Sequence, residues 1–240
     1  VMVTSTMQSK SMITCLGKES DIYITDPKMM KPVLVDKDQW PVLQENYQAI
    51  ADELEAAGMP VDKVSMEVWY KYACEANGKL YSVLFQQNTE THTTDYTYEK
   101  GTPPQNAYEI AITPMIADQL GEDIGDTVTI DFGTEKRDCV VTALFQTMNQ
   151  LGKVGRLHEE APTSMKYATT MPGFQVDFSD HPDEKEIRTR VKKIKELYGI
   201  TGVFDAAGYC VDCMGVGDTM DTVCLLLLVI TGIVVILVTV

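Results

Sequence analysis

Cys210-Val211-Asp212-Cys213 is the one grouping in this sequence whose residue types and spacing point at chemistry. Two thiols at that spacing can cycle between dithiol and disulfide, or supply half of a tetrahedral zinc site. Zinc needs two further ligands, and the chain has no second Cys-x-x-Cys. A redox pair works best at the start of a helix that follows a strand, whereas this pair sits in the glycine-rich stretch Gly208 to Gly217. The blander reading, two free thiols in a linker, is preferred. His92, His158 and His181 stand apart with no His-Glu-x-x-His pattern, and His158-Glu159-Glu160 reads as a charged loop. No Gly-x-x-x-x-Gly-Lys-Ser/Thr run and no Gly-x-Ser-x-Gly elbow occurs. The sequence therefore predicts no catalytic, cofactor or metal site, and no ATP hydrolysis by this chain.

What positions these residues is set by the end of the chain. Val223 to Val240 carries no charge, and a helix of about 18 residues is close to what a bilayer core requires. A buried helix or a β-rich core segment is the competing reading, but the run lacks a polar face. Residues 218–240 are read as a truncated transmembrane helix. No Lys or Arg follows Lys195, while Asp205, Asp212, Asp218 and Asp221 precede the apolar run. Basic residues gather on the cytoplasmic side, so residues 1–217 are expected outside the plasma membrane. The N-terminal residues lack the apolar core of a signal peptide, so export would depend on a membrane helix upstream of Val1.

The chain has 240 residues and a net charge of −15, which argues against nucleic acid and against anionic lipid surfaces. Of the six cysteines, Cys224 lies in the apolar run. The remaining Cys15, Cys74, Cys139, Cys210 and Cys213 are an odd set, which weakens a disulfide framework.

Residues 1–17 are read as a juxtamembrane helix, Asp21 to Thr25 as a strand, and Val33 to Val35 as another short one. Leu43, Tyr47, Ile50, Leu54 and Ala57 form one apolar stripe, predicting a helix from Trp40 to Ala57 closed by Gly58. Asn77-Gly78 predicts a type I′ hairpin between Val61–Ala73 and Leu80–Gln87. Its Trp69, Tyr70, Tyr72 and Tyr81 suit cross-strand packing better than ligand stacking. Asn88 to Tyr98 reads as an exposed loop or edge. Tyr108 to Thr113 is a strand, and Thr113-Pro114 starts a short helix that ends at Gly121. Ile124-Gly125-Asp126 turns into Thr127–Phe132, which Gly133-Thr134 returns as Asp138–Gln146. Met148 to Thr163 reads as an irregular, mobile loop. Gly173 to Phe178 is a strand, and Asp180 is expected to cap a helix from Pro182 to Tyr198 with Ile187, Val191, Ile194 and Leu197 inward. Its lysines, Lys192, Lys193 and Lys195, sit at the helix end the dipole favours and form no nucleic-acid patch. Ile200 to Phe204 is the last strand.

Tyr98-Glu99-Lys100-Gly101-Thr102-Pro103-Pro104, then Glu109 to Thr113, Ala117-Asp118-Gln119-Leu120-Gly121 and Ile124-Gly125-Asp126-Thr127-Val128 together resemble the extracytoplasmic core domain of FtsX-like ABC transporter permeases, the MacB type. Cys139-Val140-Val141-Thr142-Ala143 stands where that family has a Val-Val-Gly hairpin end, with Thr142 in place of the glycine. The order of elements follows the family over nearly the whole chain. The resemblance makes Gly101, Glu109, Leu120, Gly121, Gly125 and Asp126 structural motif residues.

It implies an α+β fold, two lobes of short strands and hairpins with a few amphipathic helices, followed by the membrane helix. Residues 18–217 would be the outer core, with a second lobe at about 88–163. The implied function is transmission of ATP-driven conformational change to export or release a cargo, whether peptide, lipid, antibiotic or lipoprotein. The implied partners are a cytoplasmic ABC ATPase subunit and a second permease subunit, identical or not. The alternative is a membrane-anchored binding or sensor domain without an ATPase; a thiol enzyme built on Cys210 and Cys213 is a third class.

Overall fold

In the computed structural model the described residues are 20–25, 40–88, 92–147, 149–169, 173–205, 222–233 and 235. The expected helix at 1–17, the strand at Val33 to Val35, and the Cys210 and Cys213 pair lie outside them. The described chain runs β1 (Ile22–Ile24), α1 (Trp40–Ala56), β2 (Val61–Ala76), β3 (Lys79–Asn88), β4 (Lys100–Gly101), β5 (Glu109–Ile112), α2 (Pro114–Leu120), β6 (Thr127–Asp131), β7 (Lys136–Leu144), β8 (Val154–Leu157), β9 (Gly173–Phe178), α3 (Glu184–Tyr198) and β10 (Val203–Asp205). The fold is mixed α+β.

The ten described strands join one sheet in the order β10-β1-β9-β2-β3-β8-β5-β7-β4, with β6 paired to β2 and β7. β3–β8 and β5–β7 are parallel and the other pairings antiparallel. The strands of residues 100–157 meet those before 88 and after 173 through β3–β8 and β2–β6. β1 pairs with β10, so Ile22 stands opposite Asp205, and the first and last strands leave the sheet side by side.

Local chemistry explains most elements. Asn77 and Gly78 both take positive φ, 50° and 70°, the mark of the type I′ turn. The Asn77 side chain also donates to the Leu120 and Gly121 carbonyls, closing the end of α2. The Thr113 hydroxyl accepts from the Ile116 N–H at the start of that helix, and Gly121 ends it in the left-handed region.

The main core lies on one face of the sheet. Met66, Val68, Tyr70, Tyr72, Phe85, Phe174 and Val176 form it with Ile50 and Leu54 of α1 and Ile187, Val191 and Ile194 of α3. Tyr70 and Tyr72 stack at 5.5 Å and Tyr72 meets Phe132 edge-on at 5.2 Å, so these aromatics pack the interior.

Three readings are corrected and a fourth is refined. Asp183, not Asp180, caps α3, accepting from the Glu186 N–H at 2.8 Å; Asp180 instead grips Arg190 Nη1 at 2.9 Å. The α3 stripe continues to Tyr198, and Leu197 is exposed. Residues 148–163 are not simply a loop, because they contain β8, all four residues buried between β3 and β5. Residues 92–98 are the irregular, largely exposed stretch expected at His92, Thr94, Asp95 and Thr97, but Thr93 and Tyr96 turn inward and are buried.

Residues 222–233 are helical, and their Leu, Val and Ile side chains are exposed on every face and belong to neither core cluster. The Thr231 hydroxyl donates back to the Leu227 carbonyl at 2.7 Å and so is satisfied within its own helix. No described helix is long and apolar enough to cross a membrane.

Candidate functional site

Strand alternation builds a second, polar layer on the opposite face. Even-numbered β2 residues enter the main core, so Ser65, Glu67 and Trp69 point the other way. Register then places Gln175 opposite Ser65, Asn88 opposite Glu67, Gln86 opposite Trp69, Arg156 opposite Gln86 and Tyr23 opposite Gln175. A row of polar side chains crosses five strands, beside a small apolar cluster of Ala111, Ala143, Phe145 and Val154.

Glu67 is at its centre and 1% exposed. Its Oε1 accepts from Trp69 Nε1 at 2.7 Å; its Oε2 accepts from Gln86 Nε2 at 2.5 Å and Gln175 Nε2 at 3.2 Å. Gln175 Oε1 in turn accepts from Asn88 Nδ2 at 3.0 Å. The Tyr23 hydroxyl reaches the same carboxyl, its ring lying so close over Gly173 that a Cβ there would be 2.3 Å from the oxygen. Burial pushes the Glu67 carboxyl up to about 7, and the donors Gln86 and Trp69, then the Arg156 charge and Tyr23, offset only part of that.

Arg156 is the matching cation, 4% exposed. Its guanidinium carbon lies 3.9 Å from the Tyr96 ring centre, 4.3 Å from that of Phe145 and 5.4 Å from that of Tyr98. Its Nε and Nη1 have no hydrogen-bond partner among the described residues. At the rim, Glu159 Oε1 bonds His92 Nδ1 at 2.7 Å and Oε2 accepts from the Thr93 N–H at 3.2 Å. Burial raises the Glu159 carboxyl, but His92 and backbone donors outweigh it and leave it below its ordinary value. His158, read as part of a charged loop, is buried, with Nδ1 accepting from the Glu160 N–H at 3.1 Å.

Sequence reasoning missed this layer. Ser65, Glu67 and Trp69 alternate with apolar residues and so read as a solvent-facing side. The available signal was Gln86-Gln87-Asn88 and Gln175, polar residues inside other apolar strands, once pairing register is considered.

The motif residues gather elsewhere, around the start of β6 and the middle of β7. Gly101 abuts the Thr142 carbonyl, and the Gly125 N–H donates to the Val141 carbonyl at 2.8 Å. The Asp126 carboxylate accepts from the Asp123 N–H at 2.8 Å. Glu109 closes the preceding turn, accepting from the Gln105 N–H at 2.6 Å and Asn106 Nδ2 at 2.7 Å; Leu120 is buried. These contacts shape backbone and hold no reacting group.

Among the described residues no His, Cys, Asp and Glu group could hold a metal ion. Cys74 and Cys139 are free and buried, and burial pushes both thiols up to about 12. Both are expected to resist alkylation at about pH 8 in the folded protein and to react at once in denaturant, since the thiolate is the nucleophile. Mass-spectrometric mapping of maleimide adducts checks this; rapid native labelling of either would contradict their placement.

No family model and no curated protein matches the chain. Solved structures similar to it include a periplasmic region and an extracellular domain. One is the periplasmic region of MacB from Actinobacillus actinomycetemcomitans, at 10% identity, TM-score 0.44, covering 83% of this chain and 95% of that one. Another is the extracellular domain of the noncanonic ABC-type transporter YknZ from Gram-positive bacteria, at 10% identity, TM-score 0.40, covering 77% and 97%. A likeness of this size says nothing about activity.

Proposed function

We propose that residues 18–217 are the outer domain of an ABC transporter permease of the FtsX-like, MacB type, tethered at both ends to the plasma membrane. A separate cytoplasmic ATPase drives it, and it works paired with a second permease subunit to export or release a cargo. The observation that carries this reading is the β1–β10 pairing. With Ile22 opposite Asp205, the chain enters and leaves the domain at one point, as a domain set between two membrane segments requires. The exposed apolar helix of residues 222–233 supports it, because such a surface is stable in lipid and costly in water. The motif from Gly101 to Ala143 supports it independently.

On this reading the sheet is a stiff plate. Displacement at the β1–β10 edge passes through β9, β2, β3, β8, β5 and β7 toward β4. No bond is made or broken in this chain.

The test uses the full-length permease with its ATPase in cells. A cysteine at Leu151, which is 86% exposed, should react with a membrane-impermeant maleimide without permeabilisation. Spin labels at that position in two paired subunits should change separation when ATP is trapped. Labelling that needs permeabilised cells would overturn the outer placement. A separation indifferent to nucleotide would favour the sensor-domain alternative.

A further inference from the structure

One short segment roofs the polar layer. The backbone N–H groups of Asp95 and Tyr96 bond back to His92 and Thr93, within residues 92–98 themselves, and the segment joins no strand. Side chains fasten it. Tyr96 and Tyr98 stack on Arg156, Thr93 Oγ1 donates to the Pro104 carbonyl at 2.5 Å, and Glu159 holds His92 and the Thr93 N–H. Tyr96 is the key piece, because its ring covers Arg156 and lies within electrostatic reach of both Glu67 and Tyr23. Lifting it admits water to a buried carboxyl and to a guanidinium with two unpaired nitrogens.

We propose that residues 92–98 form a proton-sensitive cover over the Glu67–Arg156 pair, closed while Glu67 keeps its proton and released as that carboxyl ionises. This holds whatever moves the domain as a whole. Glu67 is faced by Tyr23 on β1, Gln175 on β9, Trp69 on β2, Gln86 on β3, Arg156 on β8 and Tyr96 on the cover. Of these only Tyr23, Tyr96 and Arg156 can carry charge. Burial raises both tyrosines far above neutral pH.

The sign follows from linkage. Covered, Glu67 holds its proton up to about 7; uncovered and wet, it returns toward the ordinary 4.5. The closed form is therefore favoured below the lower value, and that advantage is lost as pH rises through the upper one. The proton given up goes to solvent. The opening constant should rise roughly a hundredfold between about pH 5 and about pH 8.

Amide hydrogen exchange on the full chain in lipid nanodiscs, corrected for the intrinsic pH dependence of exchange, reads this. Protection in residues 92–98 should fall by about that factor while α3 keeps its own. Glu67→Gln should flatten the response, and Arg156→Met should move its midpoint to higher pH by removing an attraction for the carboxylate. His92→Gln should leave the profile unchanged, separating the His92–Glu159 clasp from the effect. If Glu67→Gln does not fold, the wild-type comparison of the two segments decides alone. Cover protection independent of pH, or a response shared equally by α3, would overturn the proposal, as would a response abolished by His92→Gln.

Discussion

Alanine at Gly101 is expected to destabilise the domain by about 3 kcal/mol and lower its melting temperature by roughly 10 °C. Gly101 has φ +82°, where a side chain is strained, and its new Cβ would lie 2.1 Å from the Thr142 carbonyl oxygen and 2.9 Å from Ala143 Cα. Those atoms are backbone of β7, which is already paired with β5 and β6, so they cannot withdraw as a flexible side chain would. Ile124 Cδ1, at 3.0 Å, closes the third side. Gly58 supplies the control: its φ is +78° with open space around it, so Gly58→Ala should cost only the backbone strain, about 1 kcal/mol. Thermal or urea melts of both variants compare the two terms directly. Equal costs would show that β4 does not press against β7 as described.

Gly101 belongs to the part of the molecule that its sequence announces. There, each signal acts over a few residues: a hydroxyl before a proline at Thr113-Pro114, a left-handed stop at Gly121, an Asn-Gly turn at 77–78. Such signals are legible because the forces behind them are local. Glu67 and β8 depend on something else. The alternation around Glu67 is what a half-exposed strand also shows, and the groups that surround it, Tyr23, Gln86, Arg156, Gln175 and Tyr96, come from distant parts of the chain. Val154-Gly155-Arg156-Leu157 offers four residues, one a glycine and one charged, and reads as loop because a charge inside a central strand is costly without partners. Its partners, Tyr96, Phe145 and Tyr98, come from elsewhere in the chain, and no local pattern brings them together. The same distinction explains α3, where Asp180 and Asp183 are equally good caps by type. The choice was made by Arg190, which reaches Asp180 from the second turn.

Gly155→Ala is expected to cost about 3 kcal/mol, comparable to Gly101→Ala but through packing alone. Its backbone is ordinary extended strand, so strain in φ plays no part. The obstacle is Phe85, fully buried and directly opposite in β3, whose ring carbons Cε1 and Cδ1 would stand 2.3 and 2.5 Å from the added Cβ. The ring is buried in the main core and meets Tyr72 at 6.4 Å, so moving it aside means displacing core neighbours. A companion change isolates this cause. Phe85→Leu alone should cost about 2 kcal/mol through the cavity it leaves, yet in the double variant the alanine methyl would occupy part of that space. The double variant should therefore lie well short of the sum, with a coupling of about 2 kcal/mol in urea melts. The same cycle bears on mechanism, since β3–β8 is one of two pairings joining the strands of residues 100–157 to the β1–β10 side. If displacement crosses the sheet, Gly155→Ala should uncouple spin labels on Leu80 and Leu151 from nucleotide while leaving ATP hydrolysis by the partner intact. Strictly additive stabilities would mean that β8 does not sit against Phe85, and the route assigned to that displacement would fall with it.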